Sequence, residues 1–97
     1  MIRACIIARI DAALEKMRFE QIDVRAIYLT EPDRDAFDLA MSKRWAKSHG
    51  YKSYRAIFMF YGEHEVRIGK TSTIYSTHGV GVSVPKRLSP RVEALAA

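Results

Sequence analysis

Apolar residues recur at the start of the chain with the period of a helix. Ile6, Ile10, Leu14 and Met17 follow one another at steps of 4, 4 and 3, and Ile7 and Ala13 widen the stripe. The spacing predicts a helix from about Ile2 to Arg18, with Arg3, Arg9, Glu15 and Lys16 turned to water. The period then changes to two. Ile22 to Leu29 is rich in β-branched and aromatic residues and reads as a strand, with Ile22, Val24, Ala26 and Tyr28 on one face.

Thr30-Glu31-Pro32-Asp33 opens a second helix. The Thr30 hydroxyl can accept from a free N–H of the first turn, Pro32 has no N–H to waste there, and Asp33 stands in the capping-box place. Phe37, Met41 and Trp45, with Ala36 and Ala40 beside them, mark its buried face as far as about Ser48, and Gly50 stops it. Glu31, Asp33, Asp35 and Asp38 lie early in it and Lys43, Arg44 and Lys47 late, the order the helix dipole favours.

The rest alternates as β structure. Tyr54–Tyr61 is almost continuously apolar and suits a central strand. Gly62-Glu63-His64 turns the chain, Glu65–Ile68 returns antiparallel, and Gly69-Lys70-Thr71 turns it again. Thr73–Ser76 and Val80–Val84 are further strands, divided by His78-Gly79, and Pro85 ends the last. Residues 1–88 then form a single α+β domain in the order α-β-α-β-β-β, with Val80–Val84 as an added strand and two helices packed on one face of a small, mostly antiparallel β-sheet. Residues 89–97 are a C-terminal tail, in which Ser89-Pro90 either starts a short helix or frays.

Composition agrees with a folded chain, since 48% of its 97 residues are hydrophobic and 28% charged. The lone cysteine, Cys5, allows no internal disulfide, points to a reducing compartment, and among Ile2, Ala4, Ile6 and Ile7 reads as a small buried hydrophobe. The apolar run before Arg9 is too short for a signal peptide, and no run is long enough to span a membrane. A cytoplasmic location in a bacterial cell and no membrane partner are expected.

Charge changes the picture. Residues 1–38 carry six basic and eight acidic side chains, whereas residues 39–97 carry ten basic and three acidic, a net of +7. No carboxylate lies between Leu39 and Gly62, where Trp45, Tyr51, Tyr54, Phe58, Phe60 and Tyr61 interleave with Lys43, Arg44, Lys47, Lys52 and Arg55. Stacking rings among phosphate-pairing cations suit single-stranded nucleic acid. The bland alternative puts Trp45, Phe58 and Phe60 in the core and leaves the charges as a solvated helix end. Arg55-Ala56-Ile57-Phe58 does not match the RNA-recognition signature.

Other chemistry is weaker. Gly69-Lys70-Thr71-Ser72 lacks the upstream glycine of a phosphate loop, having His64 there, and a strand follows where a helix is needed. His49, His64 and His78 have no partners at ligand spacing, because Glu63 and Glu65 flank His64 on the opposite face of an extended segment. Ser76, Thr77 and His78 read as a polar turn rather than a nucleophile and base. No catalytic set, metal site or cofactor is predicted. The candidate contact residues are Lys43, Arg44, Lys47, Lys52, Arg55, Arg67, Lys70, Tyr51 and Tyr75.

In size, basicity and general order of elements the chain resembles the RelE/ParE-type toxins. The likeness covers gross features of the whole chain and no specific motif. It implies ribonuclease chemistry on the sheet, with Arg55, Arg67, Tyr75 and His78 as the side chains to weigh. The residues themselves favour a non-catalytic binding protein (a regulator, inhibitor or adaptor) that docks on a nucleic acid or nucleoprotein complex, with an acidic protein surface as a further partner class. An RNA-cleaving toxin is the alternative. A phage or mobile-element assembly protein acting as a homo-oligomer is another, since a short chain has a small core.

Overall fold

The computed structural model describes residues 5–88. Helix α1 spans Ile6–Phe19, strand β1 Val24–Leu29 and helix α2 Glu31–His49; strands β2 (Phe60–Tyr61), β3 (His64–Ile68), β4 (Thr73–Ser76) and β5 (Gly81–Ser83) follow. The strands lie in the order β2-β3-β1-β4-β5. β1 and β3 run parallel, and the other neighbouring pairs are antiparallel. This is the α+β class that the alternation of periods predicts. The expected tail, 89–97, lies outside the described residues.

One face of the sheet makes the core. Ile27 of β1 sits in register with Val66 on one side and Ile74 on the other. These side chains and Leu29 pack against Ile6, Ile7, Ile10, Ala13 and Met17 of α1 and Phe37 of α2. Ile22, Val24, Ala26 and Tyr28 do not share one face, as strict alternation predicts. Val24 pairs with Ser76 and Ala26 with Tyr75, so β1 carries one residue more than β4 in that interval. Such a bulge shifts the alternation, returning Val24 to the core face with Ile27 and Leu29 and leaving Ala26 and Tyr28 on the other.

Two expectations about α1 are overturned. Cys5 is exposed rather than buried, because it is the N-cap residue and lies outside the stripe that begins at Ile6. Arg9 is buried rather than hydrated. Its Nε donates to Pro85 O at 2.8 Å, and its Nη2 lies 3.3 Å from Asp33 Oδ2. Asp33 also accepts from the Ser72 hydroxyl, and Ser72 Oγ accepts from Thr30 N–H at 3.2 Å. A polar staple thus ties α1, the start of α2, the β3–β4 turn and the chain after β5. A charged pair can stay buried when further hydrogen bonds satisfy its remaining atoms.

Helix α2 has the predicted ends. Thr30 Oγ1 accepts from Asp33 N–H at 3.4 Å, and Gly50 closes the helix at φ 75°, a left-handed conformation that glycine adopts without a Cβ clash. Its inner face departs from expectation. Phe37 is fully buried, but Arg34, Asp38, Ser42 and Ala46 share that face, whereas Ala36 is exposed.

Candidate functional site

Arg34, Asp38 and Ser42 stand at successive four-residue steps, so their side chains form one row along α2. The row binds the chain that precedes β2. Ser42 Oγ accepts from Ala56 N–H at 3.0 Å and lies 3.4 Å from Ala56 O. Asp38 Oδ1 accepts from Phe58 N–H at 3.0 Å, and Arg34 Nη2 donates to Phe58 O at 2.5 Å. The Arg34 Nε is 3.3 Å from both Asp38 oxygens, and its Nη1 donates to Val66 O at 3.0 Å.

This row explains why the predicted strand Tyr54–Tyr61 shrinks to Phe60–Tyr61. Val66 N–H donates to Met59 O at 2.8 Å, as a ladder requires, but Val66 O is taken by Arg34. Beyond Met59 the chain bonds to the helix instead of to β3. The gap so opened has a volume of about 710 Å³ and is lined by Arg55, Ile57 and Met59 on one lip and Arg67 and Ile68 on the other.

A second cluster lies where α2 ends. The Trp45 ring stacks on His49 at 4.0 Å between centroids and on Tyr54 at 4.0 Å, with interplanar angles of 10° and 22°. Tyr51 joins at 5.2 Å from Trp45. His49 Nδ1–H donates to Trp45 O at 2.9 Å, because a carbonyl can only accept, and this bond fixes the imidazole over the indole. Tyr51 and Tyr54 are exposed, and Trp45 is half-buried. Trp45 is therefore the hub of a surface stack rather than a core residue. Phe60 is exposed as well, whereas Phe58 packs against the core.

The sheet face away from the helices carries a third group. Tyr28 aligns with Arg67 on β3 and Thr73 on β4, and Tyr75 aligns with Ala26 and with Gly81. The Tyr28 and Tyr75 rings meet edge to face at 5.4 Å. Arg67 Nε and Nη2 bind the two Glu65 oxygens at 2.9 and 3.0 Å. That bond holds the Glu65 carboxyl below its ordinary range, and Glu65 together with the Tyr28 hydroxyl raises the Arg67 guanidinium.

The predicted contact residues are divided among these places. Tyr51 belongs to the stack, and Lys43, Lys47 and Lys52 are exposed on α2 and the loop that carry it. Arg44 is near enough to Tyr61 to act on its hydroxyl. Arg55 and Arg67 both line the gap, Tyr75 is on the helix-free face, and Lys70 lies beside the start of α2 with Thr71 and Lys86. Lys70 and Lys47 thus stand at opposite ends of α2. Sequence reasoning missed the buried row, although Arg34, Asp38 and Ser42 recur at the helical step that marks an inner face.

Other candidates resolve as structure. The Ser76 hydroxyl is buried and accepts from His78 N–H at 3.2 Å and Val80 N–H at 2.9 Å, so it builds the β4–β5 turn. Among the described residues no group of three His, Cys, Asp or Glu could hold a metal ion, and no helix is long and apolar enough to cross a membrane. Compared with known proteins, the chain matches no family model, no curated protein and no solved structure.

Proposed function

We propose that the protein is a non-catalytic module that holds single-stranded nucleic acid, alone or within a nucleoprotein complex, on the stack at the end of α2. One observation carries this reading: Trp45, His49, Tyr51 and Tyr54 form a continuous aromatic surface inside a stretch, Leu39–Gly62, that has no carboxylate. Bases add to such a surface through their π-faces whatever their identity, and Lys43, Lys47 and Lys52 are near enough in the chain to meet the phosphates. The binding is then tolerant of sequence and falls as salt rises, because bound phosphates release counterions.

The test is anisotropy of labelled single-stranded oligonucleotides over a salt series. Tyr54→Ala should weaken binding by about 1–3 kcal/mol, the value of one stacked base. Lys52→Ala should lower the slope of log affinity against log salt by about one. Affinity indifferent to salt and to both substitutions would remove the reading.

The helix-free face favours a second reading, cleavage of RNA. There Arg67, Tyr28 and Tyr75 lie side by side, a guanidinium and two phenols on an open sheet. Expression of the protein should then arrest growth, and Tyr75→Phe or Arg67→Ala should relieve the arrest. Harmless high-level expression disposes of this alternative.

A further inference from the structure

The polar staple that ties α1 to the start of α2 also lines a cavity. The β3–β4 turn and the chain after β5 complete its walls, and its volume of about 650 Å³ suits a small molecule. Its charge does not balance. The charged residues of the lining are Arg9, Lys70 and Lys86 against the single carboxylate of Asp33, a surplus of two positive charges. Asp33 is spent on Arg9 and on the Ser72 hydroxyl. Lys70 and Lys86 have no carboxylate partner among the described residues. Glu31, in the first turn of α2, is exposed and is not part of the lining.

Hydrogen-bond donors are left over as well. Arg9 is only 4% exposed, and while its Nε and Nη2 are engaged, its Nη1 has no partner among the described residues. A donor of so buried a side chain costs free energy until it is bonded. The backbone N–H groups of Lys70, Thr71 and Ser72, three in succession, also lack a partner among the described residues. Successive free amides in a turn make a concavity that takes an anion. The Thr71 and Thr73 hydroxyls bond each other at 3.0 Å, which uses one of their two protons and leaves one to give elsewhere. Two free ammonium groups and this set of donors call for two negative charges carried on several oxygens. A carboxylate brings one charge and two oxygens, whereas a phosphate monoester brings a charge of about −1.5 to −2 and three terminal oxygens.

We propose that this cavity binds a small molecule through its phosphate monoester. The phosphate pairs with Lys70 and Lys86 and accepts from the Lys70–Ser72 amides. The cavity is larger than one phosphate group, so the rest of the molecule lies within it, against Val84 and Pro85. The inference is independent of nucleic-acid binding at the Trp45 stack, which stands at the other end of α2.

The probe is ribose 5-phosphate, titrated into the full chain labelled with nitrogen-15. The amide signals of Lys70, Thr71 and Ser72 should shift with it and stay in place with ribose. Lys70→Ala and Lys86→Ala, both at exposed positions, should each weaken binding about tenfold, the worth of one charge-assisted hydrogen bond. Tyr54→Ala should leave the affinity for ribose 5-phosphate unchanged, so that failure here and failure of the stack are told apart. Three results overturn the inference. One is no shift at these amides in millimolar ribose 5-phosphate. Another is equal shifts with acetate at the same ionic strength, or an affinity that neither lysine substitution changes. The third is a shift with a 5′-phosphorylated oligonucleotide and none with ribose 5-phosphate, which makes a nucleic-acid end, not a small molecule, the source of the phosphate.

Discussion

Arg34 and Asp38, one turn apart on α2, take both backbone polar atoms of Phe58: the aspartate accepts its N–H at 3.0 Å and the arginine donates to its C=O at 2.5 Å. The same guanidinium reaches Val66 O at 3.0 Å, so a single buried side chain stands where the ladder between β2 and β3 would continue. A buried ion pair of this sort adds little net stability over an apolar pair, since desolvation offsets most of the attraction. What it does add is a fixed end to strand β2.

Removing one partner should be costly. Arg34→Met leaves the Asp38 carboxylate buried without its cation and strips two carbonyls of their donor, for a loss of about 3–5 kcal/mol in urea unfolding. The double variant Arg34→Met, Asp38→Leu should recover part of that loss, because no uncompensated charge stays inside. A single variant within about 1 kcal/mol of the parent would show that the pair is hydrated in solution.

Ser42 tests the same row without charge. It is fully buried and binds both polar atoms of Ala56. Ser42→Ala should cost about 1–3 kcal/mol, the penalty of leaving a buried donor unsatisfied. Hydrogen exchange at Ala56 should rise with it, and unchanged exchange there would mean that the loop is held by other contacts.

The helices and the fold class were legible because their signals are local. Thr30, Pro32 and Gly50 mark the ends of α2 through backbone chemistry that depends on a few neighbouring residues. The splay of Tyr54–Tyr61 was not, because its cause lies in three side chains of another element. An apolar run states a strand's preference and says nothing of a competing hydrogen-bond row. The faces of β1 were misread for a similar reason: the bulge opposite Ser76 is a property of the pairing with β4, not of β1 alone. Of the aromatic interleaving from Trp45 to Tyr61, only Trp45, Tyr51 and Tyr54 meet, with His49 added, while Phe58 and Tyr61 pack against the core. The charge surplus counted the same stretch correctly but carried no information on which way Arg44 or Arg55 would turn.

Two glycines on the helix-free face leave room for neighbouring side chains, Gly69 for Tyr28 and Gly81 for Thr73 and Tyr75. A Cβ on Gly69 would meet Tyr28 Cβ at 3.1 Å, a point fixed to the β1 backbone. A Cβ on Gly81 would meet Thr73 Cγ2 at 3.1 Å and the Tyr75 ring at 3.2 Å. The ring is exposed enough to swing away, but the buried, β-branched Thr73 must turn about its own stiff χ1 to give room. Gly69→Ala should therefore cost about 1–3 kcal/mol by overpacking, and Gly81→Ala should relieve its clash at Tyr75 but not at Thr73. The loss of ring-current shifts between Tyr28 and Tyr75 in the second variant would report the swing. A cost near zero for Gly81→Ala would mean that Thr73 turns freely in solution.

Alkaline pH should weaken the contact between α1 and β2. The Tyr61 hydroxyl donates to Asp11 Oδ1 at 2.5 Å. Burial, and then the hydrogen bond and charge of Asp11, push its pKa up from 10.0 to about 12, while Arg44 pulls it the other way. The folded state thus holds this proton more tightly than the unfolded chain does. Stability from the group is complete below pH 10 and is lost as pH rises toward about 12, because the phenolate that forms has lost its donor and faces a carboxylate. Lysines and the other tyrosines titrate in the same range, so the difference between parent and Tyr61→Phe isolates the effect. The phenylalanine variant should be less stable near neutrality by about 0.5–1.5 kcal/mol, the worth of one hydrogen bond, and should lose less as pH is raised. The two unfolding free energies then converge across this window. Curves that fell in parallel would place the Tyr61 proton outside any linkage to folding, with the bond to Asp11 open in solution.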